Sequence, residues 1–112
     1  MGEEMTFDEY QKFARSTAVY PEDCKITYPT LGLCGEAGEV AEKIKKHIRD
    51  GRSLEGVGLE LGDVLWYISA LADDLGVTLE EIAQANVGVG ATISGKRFAG
   101  SGLQLVWSQR DL

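Results

Sequence analysis

Two apolar stripes with a 3.6-residue period constrain this chain more than anything else in its sequence. Leu33, Ala37, Val40, Ala41, Ile44 and Ile48 mark the first; Leu61, Val64, Leu65, Ile68, Leu71, Ala72 and Leu75 mark the second. Each residue of a helix advances about 100° around the axis, so apolar positions three and four apart line one side. The first helix opens near Thr30 and stops at Asp50-Gly51, because glycine takes the left-handed conformation that ends a helix at little steric cost. Ser53 is the N-cap expected for the second helix, and Gly76 is its stop. Both stripes need cover from water, and they cover each other when the helices pack.

Two shorter helices flank this pair. Thr6-Phe7-Asp8-Glu9 is a capping box, with Thr6 as N-cap and Glu9 three residues on. Phe7, Tyr10, Phe13 and Ala14 follow it at helical spacing. A second capping box, Thr78-Leu79-Glu80-Glu81, opens a helix that runs to about Val87, with Glu80 and Glu81 serving its first turn. Tyr20-Pro21 and Tyr28-Pro29 bracket a loop, since the residue before a proline is pushed out of the helical region. No segment alternates in the manner of a strand, so none is expected. Gly88, Gly90, Gly95, Gly100 and Gly102 crowd the stretch after Asn86, and each costs a helix about 1 kcal/mol relative to alanine. The class expected is all-α: a compact four-helix domain over residues 1–87 and a glycine-rich tail over 88–112.

Composition excludes several functions. The chain has 112 residues, which is room for one core. Its longest mostly apolar run, Val64 to Ala72, is far short of the ~20 residues that span a bilayer, so no membrane partner is expected. The start is acidic and fits no secretory or transit peptide, which points to the cytoplasm. Eleven Lys and Arg stand against 18 Asp and Glu, a net charge of −7, and this argues against a nucleic-acid polymer as partner. Cys24 and Cys34 are read as reduced thiols. A single histidine, His47, rules out a zinc site built on several histidines and is read as structural.

The chemistry is carried by two acidic pairs, Glu36-x-x-Glu39 and Glu60-x-x-Asp63. Residues three apart on a helix lie about 60° from one another, so each pair projects to one side. Glu36 and Glu60 border their own apolar stripes; Lys43 and His47 continue the first flank, and Asp63 and Tyr67 stand beside Glu60. Packing the stripes brings these flanks to the rim of one seam, where like charges repel unless a cation sits among them. Hard oxygen donors favour Mg²⁺ or Mn²⁺, and magnesium held by carboxylates completes its shell with phosphate and water. Gly32, Gly35, Gly38 and Gly62, poor helix formers beside these pairs, are explained by close helix approach. The plain alternative is a solvated flank, and Glu39 and Lys43 have the spacing of a helical ion pair. A di-iron bundle is a poor alternative, because it needs Glu-x-x-His on two helices and the sequence has none.

Leu31-Gly-Leu-Cys-Gly-Glu36-Ala-Gly-Glu39-Val-Ala-Glu-Lys43-Ile-Lys-Lys46, followed by Glu60-Leu-Gly-Asp63-Val-Leu-Trp-Tyr67, closely resembles the MazG-like nucleotide pyrophosphohydrolases of the all-α NTP pyrophosphatase superfamily. The run from Gly76 to Asn86 resembles the family's third block, and the likeness covers about residues 5–87. It implies hydrolysis of a (d)NTP between the α- and β-phosphates to (d)NMP and pyrophosphate, in nucleotide-pool housekeeping. It also implies Mg²⁺, or Mn²⁺ in its place, bound by Glu36, Glu39, Glu60 and Asp63, with Glu39 a candidate to orient the water. Tyr67 and Asn86 match nucleotide- and phosphate-contacting positions, and Lys43 joins them as a candidate substrate contact. A homodimer or homotetramer is implied as well. Tyr20, Tyr28, Trp66 and Tyr67 are candidates to stack on a base, although Trp66 falls on the opposite side of its helix from Glu60 and is assigned to packing. The pattern departs after Asn86, where Val87-Gly88-Val89-Gly90 replaces the expected lysine; Lys96 and Arg97 are candidates to replace it. The rival expectations are a non-catalytic nucleotide-binding or oligomerisation module, a helical protein-interaction module, and a phosphodiesterase or pyrophosphatase that uses similar carboxylates.

Overall fold

The computed structural model describes residues 4–88, 92–93 and 96–97. Among the described residues there are four α-helices: α1 (Phe7–Thr17), α2 (Thr27–Asp50), α3 (Val57–Asp74) and α4 (Leu79–Val87). The all-α expectation holds. Both capping boxes form as read: the Thr6 hydroxyl accepts the Glu9 N–H at 3.1 Å, and the Thr78 hydroxyl accepts that of Glu81 at 3.0 Å. The Glu9 and Glu81 carboxylates return the bond to the cap N–H groups at 2.8 and 2.9 Å. Gly51 ends α2 at φ 70°, giving its N–H to the His47 carbonyl. After α4 comes a two-residue antiparallel ladder in which Thr92 pairs with Arg97 and Ile93 with Lys96. No strand was expected there, and one so short leaves the class unchanged. Most of the tail over 88–112 lies outside the described residues.

The loop expected to reach Pro29 is shorter than that. Tyr28 and Pro29 belong to the first turn of α2, and Pro29 is buried. The first N–H groups of a helix have no partner within it, so a proline there gives up nothing. The helix is launched from Ile26, whose φ of 68° and ψ of −53° are rare for a β-branched residue. The Thr27 N–H reaches the Lys25 carbonyl at 2.6 Å, which closes a γ-turn around Ile26. A second difference lies before α3. The Ser53 hydroxyl accepts the Glu55 N–H at 2.9 Å in a local turn, and Gly56 at φ 92° precedes the helix instead.

Helix α2 packs chiefly on α3, α1 packs on α3, and α4 packs on α1. The buried residues at these crossings are small: Ala14, Ser69, Ala70, Ala72 and Ala85, with Leu79. Polar ties fasten the ends. Gln11 on α1 donates to the Val77 carbonyl at 2.9 Å and accepts the Leu79 N–H at 2.8 Å, holding the turn between α3 and α4. Arg15 bonds Asp73 and Asp74, each at 2.6 Å. Asp74, whose side chain is wholly buried, also accepts the Tyr20 hydroxyl at 2.7 Å and the Ile26 N–H at 2.9 Å. One carboxylate at the end of α3 thus ties α1, the connection after it and the start of α2. The apolar stripes are only partly covered: Ile44, Ile48, Leu61 and Leu75 remain exposed. Among the described residues, no helix is long and apolar enough to cross a membrane.

Candidate functional site

Glu36 projects from α2, and Glu60 and Asp63 from α3, so that one carboxylate oxygen from each lies within 4.8 Å of the others. Glu36 and Glu60 are half-buried and Asp63 is exposed. Burial and the charges of Asp63 and Glu60, a hydrogen bond with Glu60, and the charge of Glu39 together push the Glu36 carboxyl above its ordinary range. A carboxylate cluster in this state has negative charge to spare, and its donors are all hard oxygens, which suits a small divalent cation. Lys43 partly offsets that charge, its ammonium lying 3.8 Å from Glu60. Glu39 stands outside the close trio and is exposed, though near enough for its charge to act on Glu36.

The trio opens onto aromatic side chains. Glu36, Asp63, Trp66 and Tyr67 line one cavity of about 340 Å³. Trp66 and Tyr67 also line a neighbouring slot of about 330 Å³, with Thr17 from the end of α1, Val19, Tyr20 and Pro21 from the connection after it and Tyr28 from α2. Tyr20 and Tyr28 stack with ring centres 5.0 Å apart, Tyr67 lies 6.3 Å from Tyr28, and Trp66 meets Tyr67 edge-on at 5.0 Å. The indole N–H of Trp66 donates to the Thr17 hydroxyl at 2.8 Å.

Trp66, a stacking candidate for which packing is the favoured expectation, both packs on Thr17 and Tyr67 and lines the two cavities. Six residues separate it from Glu60, about 120° around the helix, but only three separate it from Asp63, about 60°. Measured from Asp63, the same spacing would have put Trp66 beside the carboxylates. The clasp of Arg15 and Tyr20 on the buried Asp74 side chain has no local sequence signal, since its partners are far apart in sequence. His47 has its Nδ1 2.6 Å from the Arg52 carbonyl just past the end of α2. Asn86 is exposed on α4 and lines neither cavity. A larger open cavity of about 560 Å³ lies by Lys12, Arg15 and Asp73, where Arg15 and Asp73 are already paired.

Comparison with known families places this arrangement. The model of the MazG nucleotide pyrophosphohydrolase domain matches residues 27–88. The chain belongs to this family. The matched segment holds both acidic pairs, Lys43, Tyr67 and Asn86, and it leaves out α1 and the connection that carries Tyr20. The chain is also similar to the Gene 37 protein of Mycobacterium phage L5, 42% identical over 95 residues that cover 74% of this chain and 83% of the relative. No solved structure matches it.

Proposed function

We propose that this MazG-family chain is a Mg²⁺-dependent pyrophosphohydrolase that cleaves a (d)NTP between its α- and β-phosphates to (d)NMP and pyrophosphate, and so serves nucleotide-pool housekeeping in the cytoplasm. The observation that carries this reading is the convergence of Glu36, Glu60 and Asp63 from two helices beside an aromatic cavity. In the reaction, a water oxygen bonds to phosphorus and its proton passes to a carboxylate or to solvent, while the bridging P–O bond breaks and pyrophosphate departs with its electron pair.

Glu36, Glu60 and Asp63 would hold the cation, with Glu39 as the fourth ligand or the group that orients water. When bound, Mg²⁺ supplies charge stabilisation on the phosphates and a water of lowered pKa; Mn²⁺ is the expected substitute. Lys43, paired with Glu60, is within reach of a phosphate drawn to the same cluster. Tyr67 borders both cavities and orients the nucleotide between them. Asn86 is a phosphate contact contributed from α4. A homodimer or homotetramer is the expected working form.

The test is pyrophosphate release across canonical and modified NTPs and dNTPs with Mg²⁺, using EDTA and Glu39→Gln as blanks. Release that both blanks abolish, with helix content retained in the variant, supports the reading; a wild-type rate in Glu39→Gln removes that residue from it. The second reading is a non-catalytic nucleotide binder, favoured by the glycines that follow Asn86 where the family pattern carries a lysine. It predicts melting shifted by Mg²⁺ and nucleotide with no pyrophosphate released.

A further inference from the structure

We propose that the Lys43 ammonium competes with the divalent cation for Glu60, and that a nucleotide's phosphates relieve the competition by drawing Lys43 away. The inference rests on the hydrolytic reading for its two ligands and goes beyond it in naming the side chain that couples them. Lys43 then keeps the carboxylate cluster a weak cation site until a triphosphate arrives.

Lys43 has a local partner within reach and passes it over. Glu39 stands four residues before it on α2, at helical ion-pair spacing. Among the described residues, however, the ion pair of Lys43 is with Glu60 on α3, while Lys45 and Lys46 both pair with Glu42 on their own helix. Glu36 lies seven residues before Lys43, two helical turns, so both leave α2 on one side. At 3.8 Å the contact with Glu60 is attraction of charge without a hydrogen bond, and little is lost when it breaks. The Glu60 side chain is 20% exposed and that of Lys43 39%, so the lysine is the partner with room to turn on its flexible stem. Two positive charges on one carboxylate repel each other. Whatever draws Lys43 off Glu60 therefore tightens cation binding, and by linkage the cation frees Lys43 for an anion. A triphosphate held at the same cluster supplies that anion.

The experiment measures the two ligands separately. Mg²⁺ alone is titrated by calorimetry into wild type, Lys43→Met and Lys43→Arg, each checked for helix content. Lys43→Met is expected to bind Mg²⁺ about tenfold more tightly than wild type, and Lys43→Arg, which keeps the charge, within about threefold of it. A dNTP with a methylene bridge between its α- and β-phosphates is then titrated at saturating Mg²⁺. Its Kd should rise about tenfold in Lys43→Met. The opposite signs are the signature, because damage to the fold would weaken both ligands together. Equal or weaker Mg²⁺ binding in Lys43→Met overturns the proposal, as does an unchanged Kd for the nucleotide, and pyrophosphate release by wild type then leaves the hydrolytic reading standing. Opposite shifts without pyrophosphate release support the competition and remove the hydrolytic reading. Failure of wild type and Lys43→Met alike to bind Mg²⁺ overturns both.

Discussion

The ring of Tyr67 on α3 lies against the backbone of Gly32 on α2, so closely that a single carbon added at Gly32 would overlap it. This contact sets how near the two helices come at the aromatic end of the site. Close approach explains Gly32, but not its neighbours: a Cβ at Gly35, Gly38 or Gly62 would meet nothing within 4 Å. The expectation that all four glycines serve one close crossing therefore holds at one position.

Gly32→Ala should displace Tyr67 from both cavities. Forcing one methyl into an occupied space costs about 1–3 kcal/mol, because the ring has to leave its place. Urea denaturation should show that loss, and KM for the nucleotide should rise. Gly35→Ala serves as the control and should keep or improve stability, since alanine favours a helix by about 1 kcal/mol over glycine. Equal behaviour of the two variants would refute the contact.

The cation should act on stability with a definite sign in pH. Glu36 is raised above its ordinary value in the folded state, so its contribution is most favourable at low pH and is lost as pH rises through the folded value. Mg²⁺ opposes that loss. Saturation a hundredfold above Kd is expected to add about 2.7 kcal/mol near pH 7, with a gain that shrinks as pH falls toward 4. EDTA should reverse it. Asp63→Asn should raise the melting temperature without metal, by removing one of the crowded charges, and weaken the Mg²⁺ response. Scanning calorimetry with and without Mg²⁺ measures both.

Much of this molecule was legible because its signals are local. Thr6 with Glu9 and Thr78 with Glu81 are complete within four residues, and the acidic pairs declare their side of a helix by spacing. What stayed hidden depends on partners distant in sequence. Nothing near Ile26 announces a γ-turn, because the acceptor that holds its N–H is Asp74 on another helix. Nor could the stripes say which of their residues the chain itself would cover, and Ile48 and Leu75 remain open to water. Trp66 is ambiguous by spacing, about 120° from Glu60 but about 60° from Asp63 on the same helix.

Asp74 should govern the acid stability of the fold. Burial works to raise its pKa, but the Ile26 N–H, the Tyr20 hydroxyl and the Arg15 guanidinium outweigh burial and hold it below the usual range. Its stabilisation is therefore complete above the unfolded value near 4 and is lost as pH falls through the folded one. Asp74→Ala leaves those donors without their acceptor and should cost about 2–3 kcal/mol at pH 7. The gap between variant and wild type should narrow by pH 3. Paired urea titrations at the two pH values decide it, and a gap unchanged by pH would contradict the role given to the charge.

The homodimer or homotetramer proposed above makes a prediction about the exposed apolar residues. Neither of the two longest helices fully covers a large aliphatic side chain: the buried residues are Pro29 on α2 and Ser69, Ala70 and Ala72 on α3. Leu59 is 80% exposed, Ile48 77% and Leu31 66%. Single exposed leucines are ordinary, but open stretches on both long helices match surfaces made to be covered. Light scattering should give a mass of two or four times 12.2 kDa. Ile48→Glu and Leu59→Glu should each shift the protein toward the monomer and lower its melting temperature, because a charge in a closed apolar interface has no partner there. A wild-type monomer at micromolar concentration would refute the assembly, and the apolar surfaces would then need a different partner.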